Sequence, residues 1–418
     1  MPLPHVSSPK PRIVIVGAGF GGFQAAASLA GAKAEVLLVD RNNYHTFVPL
    51  LYQVATGQID PSCVAYPVRT LLRGIPNVQF LQTSVERVDF RSKLIGTDHG
   101  PIAYDYLVLA TGAQTSYHGV PGTEYAFPMQ TLGDAVTFRQ HLFRQFERAL
   151  VTPDEGDRRR LLSFVVVGGG PTGVEMAGAL AELLKGPFRK DFPELAGQWR
   201  LVLVQSGPGL LSAFPQRLGT YTHRQLDKLG VDIRLNSRVQ KITPTRVELP
   251  DGTIAAETVV WAAGTEAARP DLIDSVADTR KGLLKVGPTL QLEGWPNVYA
   301  IGDLAQVDYG KPLAGVAPEA LQQGVTVARN LRRQLRSHSP KPFQYVNKGR
   351  LAIVGGYGGV GQIAGIPFSG FLAWILWLMV HLIYLPGYRN RLLVLLTWVH
   401  NYLLQDRAIR QVLPWGKF

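Results

Sequence analysis

Short apolar runs that end in glycine recur along this 418-residue chain, and one such pattern occurs twice. In each copy a run rich in Val and Ile, residues 12–16 or 164–167, is followed by a glycine-rich turn, in which three glycines have the same spacing in both copies, and then by an Ala-rich stretch. The glycines are Gly17, Gly19 and Gly22 in the first copy and Gly168, Gly170 and Gly173 in the second. The pattern predicts a short buried strand that turns sharply into a helix in both halves of the chain.

Each copy continues with two further apolar runs of strand length. The residues that end these runs are Asp40, Ala110, Thr111 and Gly112 in the first copy and Gln205, Ala263 and Gly264 in the second. Alternating strands and helices of this kind predict two α/β units with parallel sheets.

The spacing G-x-G-x-x-G between a strand and a helix is typical of dinucleotide sites. Glycine lets the backbone approach a pyrophosphate closely, and the helix N-terminus offers free N–H groups and the positive end of its dipole. A tight turn without a ligand is the alternative, but both copies have the strand and helix that confirm the motif. We expect two dinucleotide sites, with phosphates bound by Gly17, Ala18, Gly19, Phe20, Gly21 and Gly22 and by Gly168, Gly170, Thr172 and Gly173.

The copies differ at the end of their second strand, where an acid normally binds the adenosine ribose. Asp40 in the first copy suits an unphosphorylated ribose. Gln205 in the second copy is neutral and precedes Ser206, so it does not repel a 2′-phosphate. We expect the second site to tolerate NADPH; the alternative is that Gln205 still binds the ribose hydroxyls and NADH is preferred.

A third element, residues 295–303, is a short strand that ends in Gly302 and Asp303. Together with the two dinucleotide motifs it is similar to flavoproteins of this layout, in which this Asp contacts the ribityl chain of the flavin, so we expect Asp303 to be a flavin-binding residue. A surface Asp that caps a helix is the structural alternative.

Composition narrows the class of protein. The single cysteine, Cys63, cannot form an intramolecular disulfide, which excludes disulfide reductases and sulfide:quinone oxidoreductases and favours a packing role. No His or Cys has metal-ligand spacing. The net charge of +12 is not accompanied by a basic run with interleaved aromatic residues, so nucleic acid is not indicated. Residues 1–11 are too rich in proline for a secretory signal peptide.

Two apolar runs near the C-terminus follow a basic connector. Residues 371–385 carry no charge, and residues 392–404 follow Arg389 and Arg391. Crossing a bilayer takes roughly 20 helical residues, so both runs are expected to lie in the membrane interface as a monotopic attachment. The aromatic residues expected at the headgroup boundary are Trp374, Trp377, Tyr384, Trp398 and Tyr402. A buried or dimer-forming helix pair is the alternative.

Turn residues and breaks in periodicity divide the chain. We expect an FAD-binding domain from residues 1–125 and 266–333, an NAD(P)H-binding domain from 126–265, and an attachment region from 334–418. Thr131 should start an amphipathic helix that links the domains. Its apolar positions are Val136, Phe138, Leu142, Phe146 and Leu150. A polar stretch at 93–100 and the turn at 250–252 both indicate hairpins.

Taken together, these motifs make the chain similar to the type II NADH:quinone oxidoreductases, which are flavoproteins with two dinucleotide-binding domains. The resemblance extends from Arg12 to about Tyr402 and includes three motifs besides the glycines. These are residues 47–57 (FVPLLYQVATG), 173–178 (GVEMAG) and 317–324 (APEALQQG). Pro318 stands where the family's Ala-Gln-x-Ala-x-Gln quinone segment has its first Gln, which removes one hydrogen-bonding side chain from the expected quinone site.

The resemblance implies an α/β fold with two Rossmann-like domains in a glutathione-reductase-like layout and a C-terminal amphipathic helical region for membrane attachment. It implies that FAD is lined by Gly17 to Gly22, Asp40, Arg41, the backbone at Val85, Ala110 to Gly112, Asp303, Ala320 and Leu321. Glu175 would face the flavin and the nicotinamide, and Gln322 would hydrogen-bond a quinone carbonyl. Each also has a structural explanation: the helix dipole favours Glu175 near a helix start, and Gln322 could cap a neighbour.

The implied activity is hydride transfer from NADH or NADPH to FAD and transfer of two electrons to a quinone, in respiratory electron transport without proton pumping. The partners would be a quinone and the cytoplasmic face of a membrane, and a homodimer is left open. A soluble reductase of a protein acceptor such as ferredoxin is one alternative, although it leaves the C-terminal apolar runs without a purpose. A non-enzymatic redox sensor or structural NAD-binding protein is the other.

Overall fold

The computed structural model describes residues 10–274, 282–307, 313, 315–404, 406–407, 409 and 411. Residues 1–9, where no signal peptide was predicted, lie outside this part of the chain. The described residues form two compact units. The first unit comes from Met1–His45, Tyr66–Gln114 and Thr265–Asn347, and the second from Thr46–Ala65, Thr115–Gly264 and Lys348–Phe418.

The first unit contains a sheet of eight strands in the described residues. Its strands, in order across the sheet, are Val78–Gln82, Glu35–Asp40, Arg12–Val16, Tyr106–Leu109, Trp295–Ala300, Gln291–Leu292, Leu284–Val286 and Ala305–Val307. The first five are parallel. Ile13, Leu38 and Val108 on these strands are fully buried, as expected for parallel strands covered on both faces.

The other elements of the first unit are short or lie beside the main sheet. A second sheet has the strands Asp271–Leu272, Val85–Asp89, Leu94–Thr97 and Gly100–Ala103. The helices are Phe20–Ser28, Val68–Leu71, Ala317–Gln334 and the 3₁₀ turn Gly302–Leu304. Two strand pairs, Tyr44–Thr46 with Ala65–Pro67 and Ala113–Thr115 with Thr265–Ala267, include the residues where the chain passes between units. The hairpin predicted at 93–100 is confirmed.

The second unit repeats the parallel architecture. Its described sheet has the strands Phe127–Pro128, Thr258–Trp261, Ser163–Val167, Arg200–Val204 and Val231–Arg234 in that order. An antiparallel sheet of Lys241–Thr243, Arg246–Leu249 and Gly252–Ala255 confirms the hairpin predicted at 250–252. The helical elements are Val48–Leu50, Leu51–Ala55, Pro61–Val64, Thr123–Tyr125, Leu132–Val151, Glu155–Leu161, Pro171–Lys185, Pro187–Asp191, Pro193–Leu195, Gln216–Lys228, Phe371–Tyr384 and Tyr388–Leu404.

The helix Leu132–Val151 begins where the sequence predicted. The Thr131 hydroxyl accepts from the Asp134 N–H at 3.1 Å, and the Asp134 carboxylate accepts from the Thr131 N–H at 2.8 Å, which forms a capping box. Its buried face contains Phe138, Leu142 and Phe146, as predicted. The prediction was wrong for Leu150, which is exposed because the buried stripe follows Phe146 with Ala149.

A C-terminal antiparallel sheet was not predicted from the sequence. Its strands are Arg350–Gly355, Gly358–Ile363 and Ile366–Gly370, and the helices Phe371–Tyr384 and Tyr388–Leu404 follow it in the second unit. We call these the first and second C-terminal helices. None of the helices in the described ranges has both the length and the apolar composition that a membrane crossing requires.

The C-terminal sheet approaches the helix Pro171–Lys185 at Gly178. A Cβ atom at this position would lie 2.3 Å from the backbone oxygen of Val354, so a side chain requires the helix and the strand to move apart. Both belong to the second unit. The small residue at position 178 is therefore a condition for this packing.

We expect Gly178→Ala to destabilise the protein by about 2 kcal/mol, the usual size of an overpacking penalty. Gly133→Ala is the matched control, because Gly133 is exposed on a helix and a Cβ there meets only the Thr131 hydroxyl, at 3.7 Å. It should leave the protein unchanged or slightly more stable. Thermal unfolding of both variants decides the matter, and equal melting temperatures would contradict the packing argument.

Candidate functional site

The first glycine loop, Gly17–Gly22, is held by backbone contacts at the ends of the parallel strands. The N–H of Gly17 donates to Val39 O at 2.7 Å, and the N–H of Ala18 donates to the Asp40 carboxylate at 2.6 Å. Gly17 has φ of +103°, and a Cβ there would lie 2.3 Å from Ala110 O. Only glycine fits this position.

The second glycine loop, Gly168–Gly173, repeats this geometry within the other unit. The N–H of Gly168 donates to Val204 O at 2.8 Å, and the N–H of Gly169 donates to Gln205 Oε1 at 2.9 Å. Gly168 has φ of +113°, and a Cβ there would lie 2.6 Å from Ala262 O. Gln205 therefore stands in the second unit where Asp40 stands in the first.

Both loops fit the pyrophosphate of a dinucleotide. A Cβ added at Gly19 or at Gly170 meets no atom within 4 Å, so open space lies beside each of these glycines. The helices Phe20–Ser28 and Pro171–Lys185 begin directly after Gly19 and Gly170. The free N–H groups of each helix N-terminus therefore point toward its glycine loop. Pro171 at the first helical position removes an N–H that has no partner within the helix. Thr172, beside it, is exposed.

The other residues predicted to line FAD belong to the first unit. Ala110 follows the strand Tyr106–Leu109, and its N–H donates to Val16 O at 2.8 Å. The buried hydroxyl of Thr111 lacks a hydrogen-bond partner in the described structure, which suits a polar ligand at this strand end. Arg41 directly follows Asp40, and Val85 packs against the core of this unit.

Gly302 and Asp303 follow the strand Trp295–Ala300 and face the helix Ala317–Gln334. The N–H of Gly302 donates to Gln323 Oε1 at 2.6 Å. Desolvation and then the charge of Glu319 raise the pKa of Asp303 to about 6. Ala320 and Leu321 lie on this helix between Glu319 and Gln323. The structure thus joins the third predicted element to the first unit.

Gly264 contacts a histidine that the sequence analysis did not single out. His118 Nε2 donates to Ala263 O at 2.7 Å. A Cβ atom at Gly264 would lie only 2.4 Å from this nitrogen atom. His118 has φ of +52°, an uncommon backbone conformation for a residue other than glycine. No sequence motif marks this contact, because it joins residues far apart in the chain.

Glu175 is buried in the second unit between the helix Pro171–Lys185 and the C-terminal elements. Its Oε1 accepts from the N–H of Ile353 at 3.3 Å and from the indole N–H of Trp377 at 3.2 Å. Burial raises the pKa of Glu175 to about 8, and these two hydrogen bonds act in the opposite direction. Both contacts end on one oxygen, so Oε2 is the atom that can carry a proton near neutral pH.

The C-terminal tryptophans extend this buried region. Trp398 Nε1 donates to Gln53 Oε1 at 2.8 Å, and Gln53 Nε2 donates to the hydroxyl of Tyr52 at 3.1 Å. Trp374 Nε1 contacts the hydroxyl of Tyr402 at 3.3 Å. The prediction that Trp374, Trp377 and Trp398 lie at a headgroup boundary was wrong, because all three indoles are buried and donate to partners within the unit.

Cys63 and Arg407 complete the interior of this region. Cys63 is buried, which confirms the predicted packing role, and burial raises the pKa of its thiol. Arg407 donates to Thr56 O at 3.0 Å and pairs with Glu182 at 3.4 Å. No local sequence pattern marks this buried arginine, because Glu182 lies 225 positions and Thr56 lies 351 positions away from it in the chain.

Gln322, in the first unit, is already engaged by the protein. Its Nε2 donates to Val346 O at 3.0 Å, and its Oε1 accepts from the Val346 N–H at 2.9 Å. Pro318 lies in the first turn of the helix Ala317–Gln334, where an N–H has no partner within the helix, so proline fits there. Contact of Gln322 with a substrate stays a prediction.

The two C-terminal helices also have an exposed apolar face. Its members recur at helical spacing: Phe371, Leu372, Ile375, Met379 and Ile383 on the first helix, and Leu392, Leu395, Leu396, Val399, Leu403 and Leu404 on the second. An exposed apolar helix face of this kind marks an interaction with a membrane or with protein.

Comparisons with known proteins agree with this organisation. The family described as pyridine nucleotide-disulphide oxidoreductase matches residues 11–324, and the NDH2 C-terminal domain matches residues 347–406. The chain is 39% identical to the type II NADH:quinone oxidoreductase Ndh of Mycobacterium tuberculosis, over 95% of this chain and 89% of that protein. NdhA of the same organism is 36% identical, over 97% and 90%.

A solved structure of NDH2 from Plasmodium falciparum in complex with NADH has the same fold. The TM-score is 0.88, with 20% sequence identity, and the match covers 97% of this chain and 100% of that one. The predicted α/β class with two dinucleotide-binding folds and a C-terminal helical region is confirmed.

The raised pKa of Glu175 makes stability depend on pH in a defined direction. Glu175 in the folded state binds its proton more tightly than an ordinary Glu with pKa 4.5. The contribution of this proton to the free energy of unfolding is therefore complete below pH 4.5 and is lost as the pH rises through about 8. Glu175→Gln keeps the shape without the charge. Its melting temperature should rise relative to that of the wild type as the pH increases across this window.

Glu194→Gln is the control for this experiment, because Glu194 is an exposed acid of the same unit. Thermal unfolding of the three proteins across the pH range is the measurement. A difference between Glu175→Gln and wild type that stays constant with pH would show that Glu175 is already ionised in the folded protein.

Proposed function

Because the chain belongs to the type II NADH:quinone oxidoreductases, within the pyridine nucleotide-disulphide oxidoreductases, we propose that it oxidises NADH and reduces a quinone with the help of FAD. The observation that carries this proposal is the pair of glycine loops with matching geometry in a chain that also has the NDH2 C-terminal domain. One loop serves each dinucleotide.

The first unit would hold FAD. Gly17 to Gly22 would bind its pyrophosphate, Asp40 its adenosine ribose, and Asp303 its ribityl chain. The residues that would complete the site are Arg41, Val85, Ala110, Thr111, Gly112, Gly302, Ala320 and Leu321. When bound, FAD supplies the chemistry of accepting a hydride and passing on two electrons. The assignment is supported by the unpaired hydroxyl of Thr111 and the open space beside Gly19.

The second unit would bind the nicotinamide dinucleotide. Gly168, Gly170, Thr172 and Gly173 would bind its pyrophosphate at the N-terminus of the helix Pro171–Lys185. Gln205 would contact the adenosine ribose, and the backbone at Ala263 and Gly264 would line the site. Open space beside Gly170 supports this role.

Glu175 would be the proton donor for quinone reduction. Quinone reduction consumes two protons, and a carboxyl group with pKa near 8 is protonated at neutral pH and can donate from Oε2. The two hydrogen bonds to Oε1 keep that oxygen an acceptor and leave Oε2 for the proton. Trp377 is a positioning residue for this carboxyl group.

Gln322 is the second residue proposed to act on the substrate. A quinone carbonyl would accept from its Nε2, which requires the bond to Val346 O to be exchanged. Pro318 removes a neighbouring amide that could share this task. The quinone contact is therefore proposed to depend on Gln322 alone within this segment.

The exposed apolar face of the C-terminal helices would contact a membrane as a monotopic attachment. Its aliphatic side chains suit the acyl region, and Arg389, exposed, and Arg391, half-buried, lie in the first turn of the second C-terminal helix. A net charge of +12 favours the anionic cytoplasmic leaflet, so we propose the cytoplasmic face. The domain boundaries and a homodimer remain proposals from the sequence.

Spectroscopy tests the redox function directly. Purified protein should carry or take up FAD, NADH added without oxygen should bleach the flavin absorbance, and a soluble quinone should restore it. Ferredoxin should not restore it. A colourless protein that cannot be reconstituted, or a flavin that NADH reduces and quinone does not reoxidise, would refute the proposal.

Membrane attachment should weaken when exposed apolar residues of the C-terminal helices become polar. Ile383 and Leu396 are 63% and 56% exposed, so Ile383→Ser with Leu396→Ser should leave the fold intact. Binding to anionic phospholipid vesicles should fall roughly tenfold or more, given the apolar area lost. Val151→Ser with Ile273→Ser is the control, because these apolar residues are 79% and 62% exposed and lie outside the C-terminal helices. Equal binding of both variants would contradict the assigned surface.

A further inference from the structure

We propose that the second glycine loop is built to accept a dinucleotide with a 2′-phosphate on its adenosine ribose, so that NADPH is a substrate as well as NADH. The 2′-phosphate would be bound by Gln205, Ser206 and the basic loop 234–238. This proposal deepens the proposed function and rests on it.

Gln205 occupies the position in the second unit that Asp40 occupies in the first. In both units the N–H of the second residue of the glycine loop donates to the side chain at the end of the second strand: Ala18 to Asp40 and Gly169 to Gln205. This side chain lies where an adenosine ribose is recognised. In the second unit the chain has therefore lost the negative charge at the ribose while keeping the hydrogen bond that fixes the side chain.

The orientation of the Gln205 amide follows from this bond. The Gly169 N–H can only donate, so the amide oxygen must face it and Nε2 must point away. Nε2 lies beside Gly207, 3.0 Å from the place where a Cβ of that residue would be. The amide therefore presents N–H donors to a ligand, and donors suit a phosphate. The adjacent Ser206 is exposed and adds a hydroxyl group.

A basic loop is fastened to the same strand end by three backbone hydrogen bonds. The Gln205 N–H donates to Arg234 O at 2.8 Å, the Ser237 N–H donates to Gln205 O at 3.0 Å, and the Asn236 N–H donates to Gly207 O at 3.0 Å. Loop 234–238 thus borders the loop that begins at Gln205. It carries Arg234 and the exposed Arg238.

Asp232, an acid beside this loop, is already paired with two arginines. Asp232 accepts from Arg200 at 2.8 Å and from Arg234 at 3.0 Å and 3.1 Å, so two guanidinium groups share one carboxylate. These three residues carry a net charge of +1, and Arg238 adds another. A 2′-phosphate, which carries more than one negative charge near neutral pH, meets a positive border in place of the usual acid.

Equilibrium binding to the FAD-loaded, full-length protein tests the site without turnover. Dissociation constants for NAD⁺ and NADP⁺ are measured by calorimetry for wild type, Gln205→Glu, Arg238→Gln and Arg224→Gln. Arg224 is an exposed arginine on a helix of the same unit and controls for the loss of one positive charge. NADH oxidation with a soluble quinone is measured in parallel, so that failure of the redox function is recognised separately.

We expect Gln205→Glu to weaken NADP⁺ relative to NAD⁺ by about tenfold or more, because a carboxylate then faces the phosphate. Arg238→Gln should weaken NADP⁺ several-fold with NAD⁺ unchanged, and added salt should weaken NADP⁺ more than NAD⁺ in the wild type. Arg224→Gln should change neither. The proposal is overturned if Gln205→Glu and Arg238→Gln both leave the ratio of the two dissociation constants within threefold of its wild-type value.

Discussion

The close approach of backbone to backbone at the glycine loops is the constraint on which the rest of this structure depends. A Cβ at Gly22 would lie 1.9 Å from Gly17 O, and one at Gly173 would lie 1.8 Å from Gly168 O. Since backbone atoms cannot move aside as the end of a flexible side chain can, each helix is held directly on its loop. The helix N-terminus and the ends of the parallel strands therefore lie close together in each unit. This proximity places the residues at the strand ends beside the free N–H groups of the helix, where a dinucleotide is bound in this fold.

The same principle connects the second loop to the C-terminal elements. Glu175 and Gly178 are three positions apart on the helix Pro171–Lys185, so they share one face. Gly178 admits the strand Arg350–Gly355, and that strand brings the N–H of Ile353 to Glu175. The first C-terminal helix then supplies Trp377. The buried carboxyl group thus depends on the C-terminal module, which is why that module has a role beyond the exposed apolar face it carries.

Sequence reasoning succeeded where the signal is local. The strands, glycines and helices of both loops are specified within about a dozen residues, and the capping box at Thr131 within four. It failed where partners are distant. The C-terminal sheet, the contact of His118 with Ala263 and the bonds between Gln322 and Val346 all join segments whose proximity no local pattern reports. The motif that contains Glu175 predicts a role for this residue, which stays a prediction, and it does not predict the hydrogen-bond partners Ile353 and Trp377.

The tryptophans of the C-terminal helices show why hydrophobicity alone gave a wrong assignment. Both faces of each helix are apolar, so the sequence does not distinguish the face that packs inward from the face that stays exposed. The distinction lies in the indole N–H, which must find an acceptor when buried. Glu175, Gln53 and the hydroxyl of Tyr402 are the acceptors for Trp377, Trp398 and Trp374. The exposed face of the helices is largely aliphatic and has no such requirement, so the polar partners of the unit decide which side of each helix is interior.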